Sequence, residues 1–153
     1  MTSVRIQTED FDVSTELAQL RIRHPNIGAI VNFVGVVRDL HESGGLNEMT
    51  LEHYPGMTEK VLHDLIEKAC SRWNVIDIQI IHRIGSLTLS DQIVCVVVAS
   101  THRQDAFSAC AFIMDHLKTT APFWKKEHTS NGTHWVHAKT TDDLALKKWK
   151  EPS

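Results

Sequence analysis

No stretch of this 153-residue chain approaches the roughly 18 uninterrupted apolar residues that a membrane-spanning helix requires, and Met1 to Arg5 lacks the apolar core of a secretion signal. Cysteine is scarce. Cys70, Cys95 and Cys110 are odd in number, widely spaced and set in apolar surroundings, so neither a disulfide framework nor a Cys-x-x-Cys metal site fits them. They read as three buried, reduced thiols of a cytoplasmic protein. Positive charge is also short: 16 Lys and Arg against 19 Asp and Glu leave a net charge of -3, with no global basic field for nucleic acid. The GxSxG elbow, the Walker loop and GxGxxG are absent, which removes the commonest signatures of serine hydrolases, P-loop enzymes and dinucleotide binders. There is no internal repeat, low-complexity tract or linker. With 42% hydrophobic residues, one domain spanning 1–153 with a real core is expected.

Histidine, by contrast, is plentiful, with ten residues. A metal centre needs those residues at ligand spacing. His134 and His137 are three apart, which on a strand places them on opposite faces. His82, His102 and His128 stand alone in sequence, with no HExxH pattern. Neither a metal nor a cofactor is therefore expected.

The apolar pattern predicts interleaved strands and helices. Val4 to Gln7 alternates as a short strand, and Asp12 or Ser14 can cap a helix ending near Ile22, before His24-Pro25-Asn26. Ile27 to Val37 is apolar on both faces, as a central strand would be, and delivers Arg38 at its end. A polar, glycine-bearing loop follows from Asp39 to Asn47. Glu48 to His53 reads as a strand, and Tyr54-Pro55-Gly56 as a turn. Thr58 to Trp73 reads as a helix facing inward through Val61, Leu62, Leu65, Ile66, Ala69 and Trp73. Ile76 to Ile84 and Gln92 to Ala99 suggest a paired hairpin. Thr101 and Gln104 have capping-box spacing at the head of a helix whose apolar stripe is Ala106, Phe107, Cys110, Ile113, Met114 and Leu117. Phe123 to His128 and Thr133 to Ala138 read as strands joined at Asn131-Gly132, and Asp142 to Lys150 as a closing helix. Without strict βαβ alternation the class is α+β, with a mixed or antiparallel sheet.

The stretch from Leu117 to Glu127 concentrates the chemistry. Pro122 should stop the preceding helix near Thr119 or Thr120. Beyond it, alternation sets Phe123 and Lys125 on one strand face and Trp124 and Lys126 on the other. This is either a solvated basic strand or the rim of an anion-binding pocket. The available cations are Arg38, His102, Arg103, Lys118, Lys125 and Lys126. His102 and Arg103 in a first helical turn suit an anion, through free backbone N–H groups and the arginine fork. Lys118 falls at the border of the apolar stripe. There it either is partly desolvated and nucleophilic, if no carboxylate pairs with it, or snorkels to water. Arg103 and Lys118 are roughly 22 Å apart along one straight helix, too far for one small substrate. A two-fold dimer, with His102 and Arg103 from one subunit completing the pocket of the other, resolves this.

Four strings carry a family resemblance: Thr50-Leu51-Glu52-His53-Tyr54-Pro55-Gly56-Met57-Thr58-Glu59-Lys60, Ile81-His82-Arg83-Ile84-Gly85, Ala99-Ser100-Thr101-His102-Arg103, and Leu117-Lys118-Thr119 followed by Ala121-Pro122-Phe123-Trp124-Lys125-Lys126-Glu127. In order and spacing, from about Val4 to Trp149, the chain resembles the large, catalytic subunits of molybdopterin synthase (the MoaE family). The resemblance implies an α/β-hammerhead-like fold with an additional antiparallel sheet. It implies a sulfurtransferase of molybdenum-cofactor biosynthesis that converts cyclic pyranopterin monophosphate into the molybdopterin dithiolene. The sulfur would come from a thiocarboxylate on the C-terminal Gly-Gly tail of a ubiquitin-like small subunit, in a heterotetramer built on a homodimer of large subunits. Carried over by position, catalysis falls on Lys118 and Lys125. Substrate binding falls on Arg38, His102, Arg103, Lys118 and Lys125, with Val36, Val37, Lys126 and Glu127 in the flanking segments. Two positions depart from the family pattern. Thr120 replaces an expected arginine, and Lys139 stands where an arginine would contact phosphate, keeping the charge without the planar fork. Phe123 and Trp124 would wall the slot for the glycine tail, with the Asp39–Asn47 loop as its lid. The competing reading is a non-catalytic module that holds a nucleotide or an acidic tail in the same pocket.

Overall fold

The computed structural model describes residues 2–38, 46–129, 132–136, 146, 147 and 149. In chain order these form β1 (Ser3–Gln7), α1 (Val13–Arg23), β2 (Ala29–Val36), β3 (Leu46–His53), α2 (Met57–Arg72), β4 (Val75–Arg83), β5 (Gly85–Leu87), β6 (Gln92–Ser100), α3 (Arg103–Thr119), β7 (Phe123–Thr129) and β8 (Gly132–Val136). The class is α+β, as expected. One sheet has the order β1-β4-β6-β2, with β1 parallel to β4 and the other pairs antiparallel. The second, β5-β3-β7-β8, is antiparallel throughout and is the additional sheet.

The first sheet is buried on both faces: β6 is apolar at odd and even positions alike, and β4 is apolar at Ile78 and Ile80 with Ile81, Asp77 and Gln79 buried on its other face. Ile78, Ile80, Val96 and Val98 join Leu62, Ile66, Phe112 and Ile113 of α2 and α3. Ile81, Cys95, Val97 and Ala99 pack with Leu20 and Phe11 on the opposite side. Burying each of these aliphatic side chains contributes about 1.5–3 kcal/mol. The central strands are therefore β4 and β6. The Ile27–Val37 stretch, expected at the centre, forms the edge strand β2. Val31 packs into one core and Ile30 and Val34 into the other, which explains its apolar pattern, yet Phe33 is 36% exposed and Val36 48%.

Asp12 caps α1, its carboxylate accepting from the Thr15 N–H at 3.3 Å. α3 ends at Thr119 with Thr120 as C-cap, as Pro122 dictates. Its start differs from expectation. His102 occupies the N-cap with no side-chain cap bond, so Thr101 lies one residue too early for the anticipated box. The stripe is also rotated: Ala106, Ala109, Cys110, Phe112, Ile113 and Leu117 are buried, whereas Phe107 is 62% exposed. Phe107 sits a full ~100° step from Ala106, on the flank away from the core. Cys95 and Cys110 are buried as expected, but Cys70 is exposed, one step off Ala69 on the outer side of α2.

β4 and β6 pair as anticipated, but the connection carries β5, which crosses to the second sheet and seats Leu87 against Val37, Met49 and Leu51. Gly85, at φ 86°, makes the switch in a conformation that side chains resist. The Asp39–Asn47 loop, apart from the strand residues 46 and 47, and most of the Asp142–Lys150 helix lie outside the described residues. Leu146 and Lys147 are helical.

One close approach fixes the entry to β2. The Gly28 N–H donates to the Ser100 carbonyl at 3.0 Å, and a Cβ at Gly28 would lie 2.1 Å from the Thr101 carbonyl oxygen. Both clashing groups are backbone, with no side chain to swing aside. Gly28→Ala is expected to cost about 1–3 kcal/mol of stability, read from urea denaturation. An unchanged midpoint would show that the 99–102 segment yields freely.

Candidate active site

The two sheets meet where β4 ends. Even-numbered residues of β4 face α2 and α3, so His82 points at the last turn of α3 and the first residue of β7. It is buried, at 5% exposure, and its ring stacks on Phe123 with centroids 3.8 Å apart and planes 14° from parallel. The Nδ1 contact with the Arg83 carbonyl is 2.8 Å. A carbonyl only accepts, so Nδ1 carries the proton and Nε2 a bare lone pair. Burial pushes the imidazole down to about 4, and the charges of Lys118, Lys125 and His53 push the same way. His82 is therefore the point around which α3, β7 and β3 bring their cations.

β7 sorts its residues by parity. Lys125 pairs with Leu51 and Phe123 with His53, so these four share the face turned toward His82. Glu127, registered with Met49, has the same parity. Lys126 falls on the other face, its Nζ 4.6 Å from the Trp135 ring centroid in a cation–π contact, beside exposed Trp124. Thus Lys125 and Lys126, adjacent in sequence, serve different surfaces. Val37 packs against Met49 and Leu51, the β3 partners of Glu127 and Lys125, which brings the 36–38 segment to the same side. Val36 and Arg38 are exposed there. Lys118 is exposed rather than sunk at the stripe's border, and no carboxylate pairs with it among the described residues. Its stem runs beside the core and its amine reaches water. His102 and Arg103, also exposed, stand at the opposite end of an unbroken 17-residue α3. Lys139 lies outside the described residues.

Several other histidines have structural duties. His128 bridges three strands, with Nε2 3.1 Å from Thr50 Oγ1 and Nδ1 3.0 Å from Thr133 Oγ1. His24 meets Asp77 at 3.0 Å, and His116 donates to the Phe112 carbonyl at 2.9 Å. Among the described residues, no three His, Cys, Asp or Glu side chains converge on a metal-sized space. No described helix is long and apolar enough to cross a membrane.

The depressed His82 value has a consequence for stability. An unfolded imidazole titrates near 6.5 and the folded one near 4, so acid favours the unfolded chain. The contribution is complete above about pH 6.5 and is lost as pH falls toward 4, at about 1.4 kcal/mol per pH unit. Urea midpoints of wild type and His82→Asn are expected to converge over that window. Parallel curves would place the titration elsewhere.

A lysine pair on the side of a neutral histidine points to a small anionic substrate and amine or electrostatic catalysis. The MoaE protein family matches residues 6–120. A molybdopterin synthase catalytic subunit from Ralstonia nicotianae is 54% identical over 149 residues, which is 97% of this chain and 85% of that protein. This chain belongs to the MoaE family. The MoaE protein from Burkholderia ambifaria MC40-6 superposes with a TM-score of 0.84 at 54% identity, covering 97% of this chain and 98% of that one. Molybdopterin synthase from Staphylococcus aureus does so at 0.78 and 32% identity, covering 87% and 96%. In the sequence His53 stood out only as part of a motif, and His82 only there and among the histidines without ligand spacing. The available signal for His82 was its parity with Ile78 and Ile80, because a polar side chain at a core parity needs a partner.

Proposed function

We propose that this chain is the catalytic subunit of a molybdopterin synthase. It moves sulfur from the C-terminal thiocarboxylate of a ubiquitin-like small subunit onto cyclic pyranopterin monophosphate, forming the dithiolene of molybdopterin. Each transfer breaks the C–S bond of the tail and a C–O bond of the pterin, forms a C–S bond on the pterin and leaves the tail as a carboxylate with oxygen from water; the displaced pterin oxygen stays on the phosphate or departs as water. The observation that carries this reading is the convergence of Lys118 and Lys125 on one buried histidine, in a chain whose relatives are catalytic subunits. That naming also favours an enzyme over a non-catalytic binding module.

Lys118 is the residue nearest the thiocarboxylate carbon, as nucleophile or as stabiliser of the oxyanion, and Lys125 the proton donor or phosphate contact. Arg38, His102 and Arg103 hold the phosphate, with Val36, Val37, Glu127 and Lys139 lining the surroundings. Phe123 walls the tail slot, whereas Trp124 and Lys126 lie on the opposite face of β7 and outside it. Because α3 is unbroken, His102 and Arg103 must come from a second copy. The open edge of β2, with exposed Phe33 and Val36 near an α3 that exposes Phe107, supports a homodimer. The chain's own sulfur is poorly suited to the task. Burial pushes the thiols of Cys95 and Cys110 up to about 11, which keeps them protonated. Free, buried thiols also fit a cytoplasmic setting.

Mixing the protein with a thiocarboxylated small subunit and cyclic pyranopterin monophosphate is expected to yield the dithiolene without added metal. A folded, intact complex that makes no product would overturn the assignment.

A further inference from the structure

The string from Thr50 to Lys60 carries part of the family resemblance, yet none of its residues from Tyr54 to Thr58 has a part in sulfur transfer. The structure shows what they build. β3 and β7 stay paired as far as His53 opposite Phe123. The next opposed positions would be Tyr54 and Pro122. There the ladder cannot continue, because proline has no N–H and the chain turns into α2. The Thr58 side chain occupies that gap. Its Oγ1 accepts from the Tyr54 N–H at 2.9 Å and its O–H donates to the Pro122 carbonyl at 3.0 Å, in a residue with no exposed surface. One hydroxyl thus satisfies a donor and an acceptor that burial would otherwise strand. Its own place is set by the first turn of α2. The Thr58 N–H donates to the Tyr54 carbonyl at 2.9 Å, and Gly56, at φ 84°, gives its N–H to Glu59 Oε2 at 3.1 Å.

Pro122 lies between Lys118, in the last turn of α3, and Lys125 of β7. Among the described residues, the other hydrogen bonds of 119–122 stay local. Thr119 and Thr120 bond back to the Asp115 and His116 carbonyls, and the Phe123 N–H donates to the Ala121 carbonyl. Ala121 and Phe123 also pack on the core, but apolar contact has no preferred direction. Among the described residues, the Thr58–Pro122 bond is therefore the directional tie from this joint to another element. We propose that Thr58 is a positioning residue for the lysine pair: its hydroxyl, held between Tyr54 and Pro122, clamps the joint between α3 and β7 and so sets where Lys125 stands relative to Lys118. Phe123, next to the clamped carbonyl, carries the restraint to the site through its stack on His82 at 3.8 Å. A misplacement of about 1 Å can cost about a hundred-fold in rate, so a single tie of this kind matters. The effect on turnover rests on the sulfur-transfer reading, whereas the clamp does not.

Thr58→Val keeps the shape and removes the hydroxyl, while Thr58→Ser keeps the hydroxyl and removes a methyl. In the complete complex, with folding verified by circular dichroism, Thr58→Val is expected to lose about ten-fold or more in kcat. Thr58→Ser should stay within about three-fold of wild type. KM for the pterin should be unchanged in both, because the phosphate contacts lie elsewhere. Equal losses in the two variants, or none in Thr58→Val, would overturn the proposal. A second readout is independent of sulfur transfer. The Phe123 ring should displace the His82 ring-proton resonances upfield, and Thr58→Val should lose about half or more of that displacement while Thr58→Ser keeps it. Unmoved resonances in Thr58→Val would overturn the clamp whatever the reaction proves to be. If Thr58→Val does not fold, hydrogen exchange in the wild type decides. The Tyr54 amide should be protected like the ladder amides of β3, and exchange as fast as in an open turn would overturn the clamp. Absence of dithiolene from the wild-type complex, with the displacement still lost in Thr58→Val, would uphold the clamp and sink the functional reading alone.

Discussion

Lys118→Ala is expected to lower kcat by about a hundred-fold or more while leaving the affinities for the pterin and for the small subunit's tail nearly unchanged. The expected split follows from where Lys118 sits. It is exposed at the last turn of α3, so truncation opens no cavity in the core and should change stability by less than about 0.5 kcal/mol. It lies beside a neutral histidine rather than in an ion pair, so removing it strands no buried carboxylate among the described residues. What disappears is an amine that acts only as the thiocarboxylate carbon becomes tetrahedral, an interaction absent from the ground state. Single-turnover formation of the dithiolene, alongside equilibrium binding of each substrate, measures the split. Weakened binding with turnover intact would make Lys118 a phosphate contact and not the catalytic amine.

Mixing inactive Arg103→Ala and Lys118→Ala proteins should restore activity to about a quarter of wild type. Random exchange makes about half the dimers mixed, and each mixed dimer has one site with both wild-type residues and one with neither. Helix length alone requires the second copy. α3 is continuous from Arg103 to Thr119, so its two ends stay roughly 22 Å apart, well beyond a pterin monophosphate. Exchange is verified by mass-tagged subunits. Verified exchange without recovery would mean that His102 and Arg103 serve another purpose within their own subunit.

Local features were legible in the sequence where the packing between elements was not. Pro122 set the end of α3, and period-two alternation placed Lys125 and Lys126 on opposite faces before any coordinates. These are local effects, decided within a few residues. The errors concern relations between elements. The Ile27–Val37 pattern shows that both faces of β2 meet apolar matter but cannot show which strands flank it. Phe107 and Cys70 lie on helix flanks where a rotation of one residue step decides exposure, and that rotation is set by the partner surface. His82 was the largest omission. Its significance comes from Phe123, 41 positions away, and from Lys125, both of which arrive only once the second sheet docks against the first.

The face parity of β7 bears on how this segment tolerates insertion and deletion. Losing one residue between Phe123 and Lys125 would carry the following lysine into the place facing His82 while leaving the local charge almost the same. The same slip would turn His128 away from Thr50 and Thr133 and move Glu127 to the outer surface. A length change here is therefore far more damaging than a conservative substitution of Lys126, and a count of lysines cannot reveal it.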